Sequence, residues 1–198
     1  MNLETLKKWI LMKGEKMFLI RNAQIEDYDE IKKLMQQVQD LHFNNRCDIY
    51  KNNKVFAQEE FEEIIASNKT NILVATDKEK IVGCLLYSIK TQKEDDYIYE
   101  RKYLYIDTLV VDINMRNNGI GKKIYSEAKR IALENNFKSI DLNVWSFNKS
   151  AINFYEAQGM TIKSLKYEEN LLWLSIVIVI LEWIIIMHIV MWKNIWNT

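Results

Sequence analysis

The sequence predicts one mixed α/β domain, with a mostly antiparallel central sheet that is flanked by helices. Three observations carry this prediction. Short β-rich runs alternate with stretches whose apolar residues recur at helical spacing. A long strand ending at Val111 leads through a glycine turn into a helix without a break. A later helix stops at Gly159, and glycine is the residue that most often follows a helix end. Such an order of elements places helices on the faces of a sheet.

The predicted order of elements along the chain is β-α-α-β-β-β-α-β-α-β. Asp27 and Glu30 have the spacing of a capping box before the first helix. Gly83 lies inside an apolar strand, which indicates a bulge or a close approach of another group. The predicted strands are 18–22, 71–76, 81–91, 97–111, 139–145 and 161–167, and the predicted helices cover 28–41, 61–67, 120–134 and 148–158.

Composition excludes several classes of function. The chain has 27 basic and 27 acidic residues, so no net field attracts nucleic acid, and we expect no nucleic-acid partner. Cys47 and Cys84 lie far apart, without a Cys-x-x-Cys pair or a histidine cluster. The cysteines therefore predict neither a disulfide framework nor a metal site, and they fit a reducing compartment such as the cytoplasm.

The chain divides into four predicted parts. Residues 1–16 form an extension without an apolar run long enough for a signal peptide, and Met17 is a candidate first residue. Residues 17–170 form the domain. Residues 171–192 are apolar except for Ser175, Glu182 and His188, and residues 193–198 form a short polar tail.

Three interpretations of the apolar segment 171–192 stay open. Its length suits a transmembrane helix that would anchor a cytoplasmic domain, and this is the first interpretation. The segment could instead pack on the domain or form a homodimer interface. It could also be an accident of the reading frame, because the domain is complete by Asn170.

The glycine turn has the features of an anion site. Backbone N–H groups at a helix N-terminus bind anions, and basic residues adjoin the glycines. Two nucleotide motifs fail here. A Walker loop needs glycine where Arg116 stands and Ser or Thr where Lys123 stands, and a Rossmann fingerprint needs a third glycine at Ile124. The turn comprises Arg116, Asn117, Asn118, Gly119, Ile120, Gly121 and Lys122.

What remains is Arg-x-x-Gly-x-Gly after a strand ending Leu-Val-Val, followed 27 residues later by a second motif that runs from Asn148 to Met160. The second motif contains Ala151, Tyr155 and Gly159. Together, and in this order, the two motifs resemble the acetyl-CoA signature of the GCN5-related N-acetyltransferase (GNAT) superfamily over residues 17–170.

The resemblance implies acetyl-CoA as cosubstrate, without a metal. The N–H groups of 117–121, with Arg116 and Lys122, would hold the pyrophosphate. The pantetheine arm would pair in β-fashion with Leu109, Val110 and Val111. Asn148 would hydrogen-bond the same arm, and a helix N-cap suits it equally.

The resemblance also assigns Tyr155 as the acid that protonates the departing thiolate, with core packing as the alternative. Some relatives carry a glutamate base twelve positions earlier, where this chain has Asn143. Asp107 is the candidate base, and the alternative is that it is a polar residue on a sheet face. His42 is expected at the surface near a helix end, and ordered water could also take the proton.

The predicted function is acetyl transfer to a primary amine of a small molecule or peptide, by direct attack in a ternary complex. The alternative is a non-catalytic acyl-CoA-binding or sensory module with the same fold. Residues 42–58 and 92–100 should determine the acceptor, whose identity the sequence leaves open.

Overall fold

The computed structural model describes residues 18–53, 57–67, 70–171 and 179–188. Contacts divide the chain into two compact units, Met1–Gln158 and Gly159–Thr198. All the labelled strands and helices belong to the first unit. They are β1 (Leu19–Asn22), α1 (Tyr28–Asn45), α2 (Gln58–Ala66), β2 (Thr70–Asp77), β3 (Lys80–Gln92), β4 (Arg101–Val111), α3 (Ile120–Glu134), β5 (Ile140–Leu142) and α4 (Lys149–Ala157).

The sheet has five strands in the order β1-β2-β3-β4-β5. Neighbouring strands from β1 to β4 are antiparallel, and β5 is parallel to β4. The predicted mixed, mostly antiparallel sheet is therefore confirmed.

Helices cover both faces of this sheet. Ile31, Leu34 and Phe61 of α1 and α2 pack with Cys84 of β3 and other strand residues in one buried cluster. The adjacent Gly83 faces the opposite side, where a Cβ atom would meet the side chains of Ile120 and Ile124 in α3 at 3.1–3.3 Å. Successive strand residues point to opposite faces, so α1 and α2 lie on one face and α3 on the other.

Gly83 fulfils both expectations for a glycine within a strand. The β2–β3 register shifts beside it, since Ala75 pairs with Gly83 but Thr76 pairs with Ile81. A Cβ atom at position 83 would also lie 3.0 Å from the carbonyl oxygen of Val110. The absence of a side chain allows α3 to approach the strands that carry the site.

The predicted capping box is wrong by one turn. Asp27 is the acceptor residue of a box that begins at Gln24, whose backbone N–H donates to Asp27 Oδ2 at 2.7 Å. Arg21 also pairs with this carboxylate at 2.6 Å, which lowers the pKa of Asp27. Glu30 has a long-range partner instead, because its Oε2 accepts from the backbone N–H of Ile81 at 2.6 Å.

The largest differences from the predicted strands occur at three places. β4 begins at Arg101 rather than at residue 97, and β5 covers Ile140–Leu142 rather than 139–145. The predicted strand 161–167 is wrong, since residues 160–170 have no regular secondary structure. Ile162 and Leu165 are about two-thirds exposed. A strand needs a neighbouring row of backbone groups, and no described strand pairs with this run.

Of the apolar segment 171–192, the structure describes residue 171 and a helical stretch at 179–188 with exposed side chains. The remainder, 172–178 and 189–192, lies outside the described residues, as do the predicted extension 1–16 and the tail 193–198. No helix within the described ranges is both long and apolar enough to span a membrane. The membrane anchor and the homodimer stay predictions.

Candidate active site

The glycine turn connects the end of β4 to the start of α3 through left-handed backbone. Asp112 begins it by accepting a hydrogen bond from the backbone N–H of Asn114 at 3.0 Å. Asn117 (φ 63°) and Gly119 (φ 76°) then reverse the chain. Gly119 is the N-cap of α3 and provides no capping side chain. The first N–H groups of α3 are thus left for an external acceptor.

Two side chains keep the turn in shape. Arg116 Nε donates to the carbonyl oxygen of Val111 at 3.3 Å, and Asn118 Nδ2 donates to the carbonyls of Met115 and Arg116 at 3.1 and 3.2 Å. Arg116 is exposed, so its guanidinium extends positive charge from the turn into solvent.

The two lysines of the motif differ in surroundings. Lys123 places its Nζ 5.3 Å from the ring centre of Phe18, which lies before β1. Lys122 is exposed in the first turn of α3. Lys123 is exposed as well, so the two lysines differ in the aromatic neighbour of Lys123 and not in exposure.

The second half of β4 has a strand neighbour on one side only, within the described part of the chain. β5 pairs with β4 no further than Ile106 and Leu142, whereas β3 continues to Val111. The register on β3 shifts at the same point and leaves Asp107 as an extra, bulged residue. We call the space between residues 107–111 and residues 143–147 the gap. On its β4 side, the carbonyl oxygen of Val111 accepts from Arg116, and the other backbone groups of 108–111 that face away from β3 have no described strand as a partner.

The second motif begins α4 as predicted. Asn148 Oδ1 accepts from the backbone N–H of Ala151 at 3.1 Å, so the predicted N-cap is confirmed. This bond occupies the amide oxygen and leaves the Nδ2 donor for a ligand. Gly159, at φ 86°, follows the helix end.

Gly121 allows α3 and α4 to meet. A Cβ atom at position 121 would lie 3.3 Å from Cε2 of Phe154 and 3.7 Å from Cγ2 of Val111. The glycine turn, the end of β4 and α4 are therefore neighbours in space. The sequence motifs that suggested one site are brought together by the fold.

Tyr155 is half-buried on α4, with its ring 5.2 Å from Phe154 and 6.4 Å from Tyr125. Burial, with a smaller contribution from Tyr125, raises the pKa of Tyr155 to about 12. The phenol is therefore protonated throughout the neutral range. It is chemically suited to donate a proton and unsuited to accept one.

Comparison with known proteins agrees with this geometry. The model of the acetyltransferase (GNAT) family matches residues 35–160. The chain belongs to the GNAT family. A tetramutant of the BH1408 protein from Bacillus halodurans is 28% identical, with a TM-score of 0.75, over 77% of this chain and 99% of that one.

Two enzymes with named acceptors share the fold of this GNAT chain. An aminoglycoside acetyltransferase, meta-AAC0020, from an uncultured soil metagenomic sample was solved with sisomicin. It is 20% identical (TM-score 0.59, 80% of this chain and 98% of that one). Glucosamine-6-phosphate N-acetyltransferase from Arabidopsis thaliana is 23% identical (TM-score 0.58, 78% and 98%).

Asp107 lies where the GNAT sheet splits. It is exposed at the bulge, and its Oδ2 accepts a 2.9 Å hydrogen bond from the hydroxyl of Ser88, which is buried. The carboxylate is one residue before the open edge of β4 begins at Thr108. It is held in place but not neutralised by a cation in the described residues.

A group of aromatic side chains on the far side of the gap was missed by sequence reasoning. His42, Tyr50, Trp145 and Phe147 form what we call the aromatic cluster. Tyr50 is 4.8 Å from His42 and 6.0 Å from Trp145, and Trp145 stacks on Phe147 at 5.8 Å. Trp145 Nε1 also donates to the Tyr50 hydroxyl at 2.9 Å.

His42 lies in the last turn of α1, as expected, but it is not fully exposed there. It is half-buried against Tyr50 and Phe147, and this burial lowers its pKa. The only signal in the sequence is its place four residues after Val38, on the apolar stripe of α1. No group of three or more ligating side chains that could hold a metal occurs in the described part of this GNAT chain.

Replacing Gly119 separates backbone strain from crowding, because a Cβ atom there would meet nothing within 4 Å. Alanine at φ 76° should lower the free energy of unfolding by about 1–2 kcal/mol. Asparagine tolerates left-handed backbone, so Gly119→Asn should lose less. Urea unfolding of both variants tests this expectation. Equal midpoints for the two variants would contradict it.

Proposed function

We propose that the protein is an acetyl-CoA-dependent N-acetyltransferase that acts on a primary amine of a small molecule or peptide. The observation that carries the proposal is the open edge of β4 beside the uncapped start of α3. One accepts an extended amide chain, and the other accepts a phosphate group. Acetyl-CoA contains both features in one molecule.

Binding would begin at the glycine turn. The pyrophosphate would accept hydrogen bonds from the backbone N–H groups of residues 117–121, with Arg116 and Lys122 adding positive charge. The pantetheine arm would continue along the open edge and pair with Leu109, Val110 and Val111. Asn148 supports this course, since its Nδ2 donor remains after the amide oxygen has capped α4.

The arm would deliver the thioester into the gap. The acceptor nitrogen attacks the carbonyl carbon while Asp107 takes one proton from that nitrogen. A C–N bond forms, the C–S bond breaks, and Tyr155 protonates the departing thiolate to give free CoA. With a pKa of about 12, Tyr155 holds its proton at neutral pH, as a proton donor must, although burial makes it a weaker acid than an exposed tyrosine.

The acceptor would enter from the side of the aromatic cluster. Residues 46–53, which carry Tyr50, and 143–147, which carry Trp145, flank that side. A test panel of acceptors should contain an aminoglycoside and an amino sugar phosphate, which are the acceptors named for the two enzymes above. A polyamine and a peptide with a free N-terminus complete it.

The full-length protein should be tested with acetyl-CoA and this panel for release of free thiol, with the acetylated acceptor identified by mass spectrometry. Acceptor-dependent thiol release is the expected result. Calorimetry with CoA, repeated on the Arg116→Ala/Lys122→Ala variant, provides the binding control. CoA binding without thiol release on any amine would favour the non-catalytic module, and failure to bind CoA would contradict both functions.

A further inference from the structure

Helix α1 crosses the strands at the end where the gap opens. Glu30 Oε2 accepts from the backbone N–H of Ile81 at the start of β3. Seven residues later, Gln37 Oε1 accepts at 3.1 Å from the N–H of Ile113, just beyond β4. Five residues further, His42 contacts Phe147, beyond β5, with ring centres 6.2 Å apart. The helix therefore spans from one wall of the gap to the other.

The length of α1 between Gln37 and His42 is sufficient to cross the gap. Five helical residues rise about 7.5 Å, whereas paired strands lie about 4.8 Å apart. Gln37 and His42 are thus separated by more than one strand spacing, as expected where β4 and the chain after β5 have diverged. The last turns of α1 therefore contact the chain on both sides of the gap.

His42 lies on the face of α1 that packs against the sheet. Ile31, Leu34, Met35 and Val38 of this helix pack in or against the core cluster that includes Val110. His42 follows Val38 by four residues and shares its face. It is the first polar residue of this stripe, and it comes where the underlying sheet has split.

The imidazole is held by carbon contacts and keeps its nitrogens for a ligand. Tyr50 and Phe147 pack against the ring, and no hydrogen bond joins a ring nitrogen to another described residue. The charged groups on the neighbouring connection, Arg46 and Asp48, pair with each other at 2.8 Å. Arg46 also lies over Trp145, 4.9 Å from its ring centre. Burial lowers the pKa of His42, so the ring is neutral at pH 7.

We infer that His42 binds the acceptor amine, accepting a hydrogen bond from its N–H group in the gap beneath α1. This inference rests on the proposed function. It assigns His42 to acceptor binding and orientation, separate from the proton transfer given to Asp107. It also assigns the acceptor a nitrogen that reaches the thioester from the side of the aromatic cluster.

The first test measures steady-state kinetics of His42→Phe with the best amine of the panel. Phenylalanine keeps the ring packing but removes the hydrogen-bond acceptor. The acceptor KM should rise about tenfold, the usual effect of one lost hydrogen bond. The KM for acetyl-CoA should stay unchanged. His188→Phe, the same substitution at the second of two histidines, is the matched control.

The second test uses pH and a readout other than activity. Protonated His42 would repel an ammonium group, so the wild-type acceptor KM should rise as the pH falls below the range in which the ring is neutral, and His42→Gln should abolish that rise. Proton NMR of the two imidazoles should show the His42 signal, assigned with His42→Phe, shifting when acceptor is added to the CoA complex.

The two proposals fail in different ways. If wild-type protein releases thiol on an amine but His42→Phe keeps the wild-type acceptor KM, the inference about His42 is wrong and the proposed function stands. An unshifted His42 signal at saturating acceptor would also overturn it. If no amine supports thiol release, the proposed function fails and the role of His42 fails with it.

Discussion

Replacing Tyr155 by phenylalanine is expected to lower kcat about 10²- to 10⁴-fold, the range for loss of a general acid. The KM for acetyl-CoA should change little, because phenylalanine preserves the packing against Phe154 and Tyr125. Thiol release with saturating acceptor measures this loss. Circular dichroism of the variant should match the wild type.

The raised pKa of Tyr155 also predicts how kcat depends on pH. Since the pKa of Tyr155 is raised to about 12, the acid stays protonated at every pH up to about 10. Wild-type kcat should therefore show no loss attributable to Tyr155 between pH 7 and 10. Tyr167→Phe is the matched control, because Tyr167 is 85% exposed and should leave kcat unchanged. Wild-type kcat in Tyr155→Phe would assign Tyr155 to packing.

Replacing Asp107 by asparagine should also lower kcat about 10²- to 10⁴-fold, because the amide cannot take the amine proton. Asparagine retains an oxygen for the hydroxyl of Ser88, so the bulge in β4 should persist. The loss should persist as the pH approaches the pKa of the acceptor amine, because an amine that arrives neutral must still lose a proton as it attacks. Rate profiles at pH 7 and pH 9 measure this loss.

Ser88→Ala is the companion to Asp107→Asn. It removes the hydroxyl that orients the carboxylate and leaves the charge in place, so kcat should fall by a few-fold only. Equal losses in the two variants would assign Asp107 a structural part in the β3–β4 contact. If Asp107→Asn keeps the wild-type rate, water rather than Asp107 accepts the amine proton.

The parts of the fold that sequence predicted best are those with local signals. The glycine turn needs left-handed backbone at Gly119 and a close approach at Gly121, and both needs are met by the residue type itself. Asn148 likewise caps α4 through a side chain three residues from its partner. Local chemistry of this kind is visible in a single sequence.

The features that sequence missed depend on distant partners. Glu30 has the spacing of a capping residue, but its carboxylate accepts from the backbone N–H of Ile81 in β3. The predicted strand 161–167 does not form, because pairing requires a neighbouring strand that the local pattern does not reveal. His42 meets Tyr50 and Phe147 only because α1 crosses the gap. Each miss reflects tertiary contacts that override or complete a local preference.

The open edge of β4 has a consequence for solubility. Unpaired strand edges invite pairing with strands of other molecules, and proteins protect them with short length, bulges and charges. Here the edge is the short stretch after Ile106, and it begins with a bulge that carries the charged Asp107. If the pantetheine arm hydrogen-bonds these backbone groups, then a bound cosubstrate and a strand of another molecule compete for the same N–H and C=O groups of β4. Bound cosubstrate would then also reduce aggregation through this strand edge.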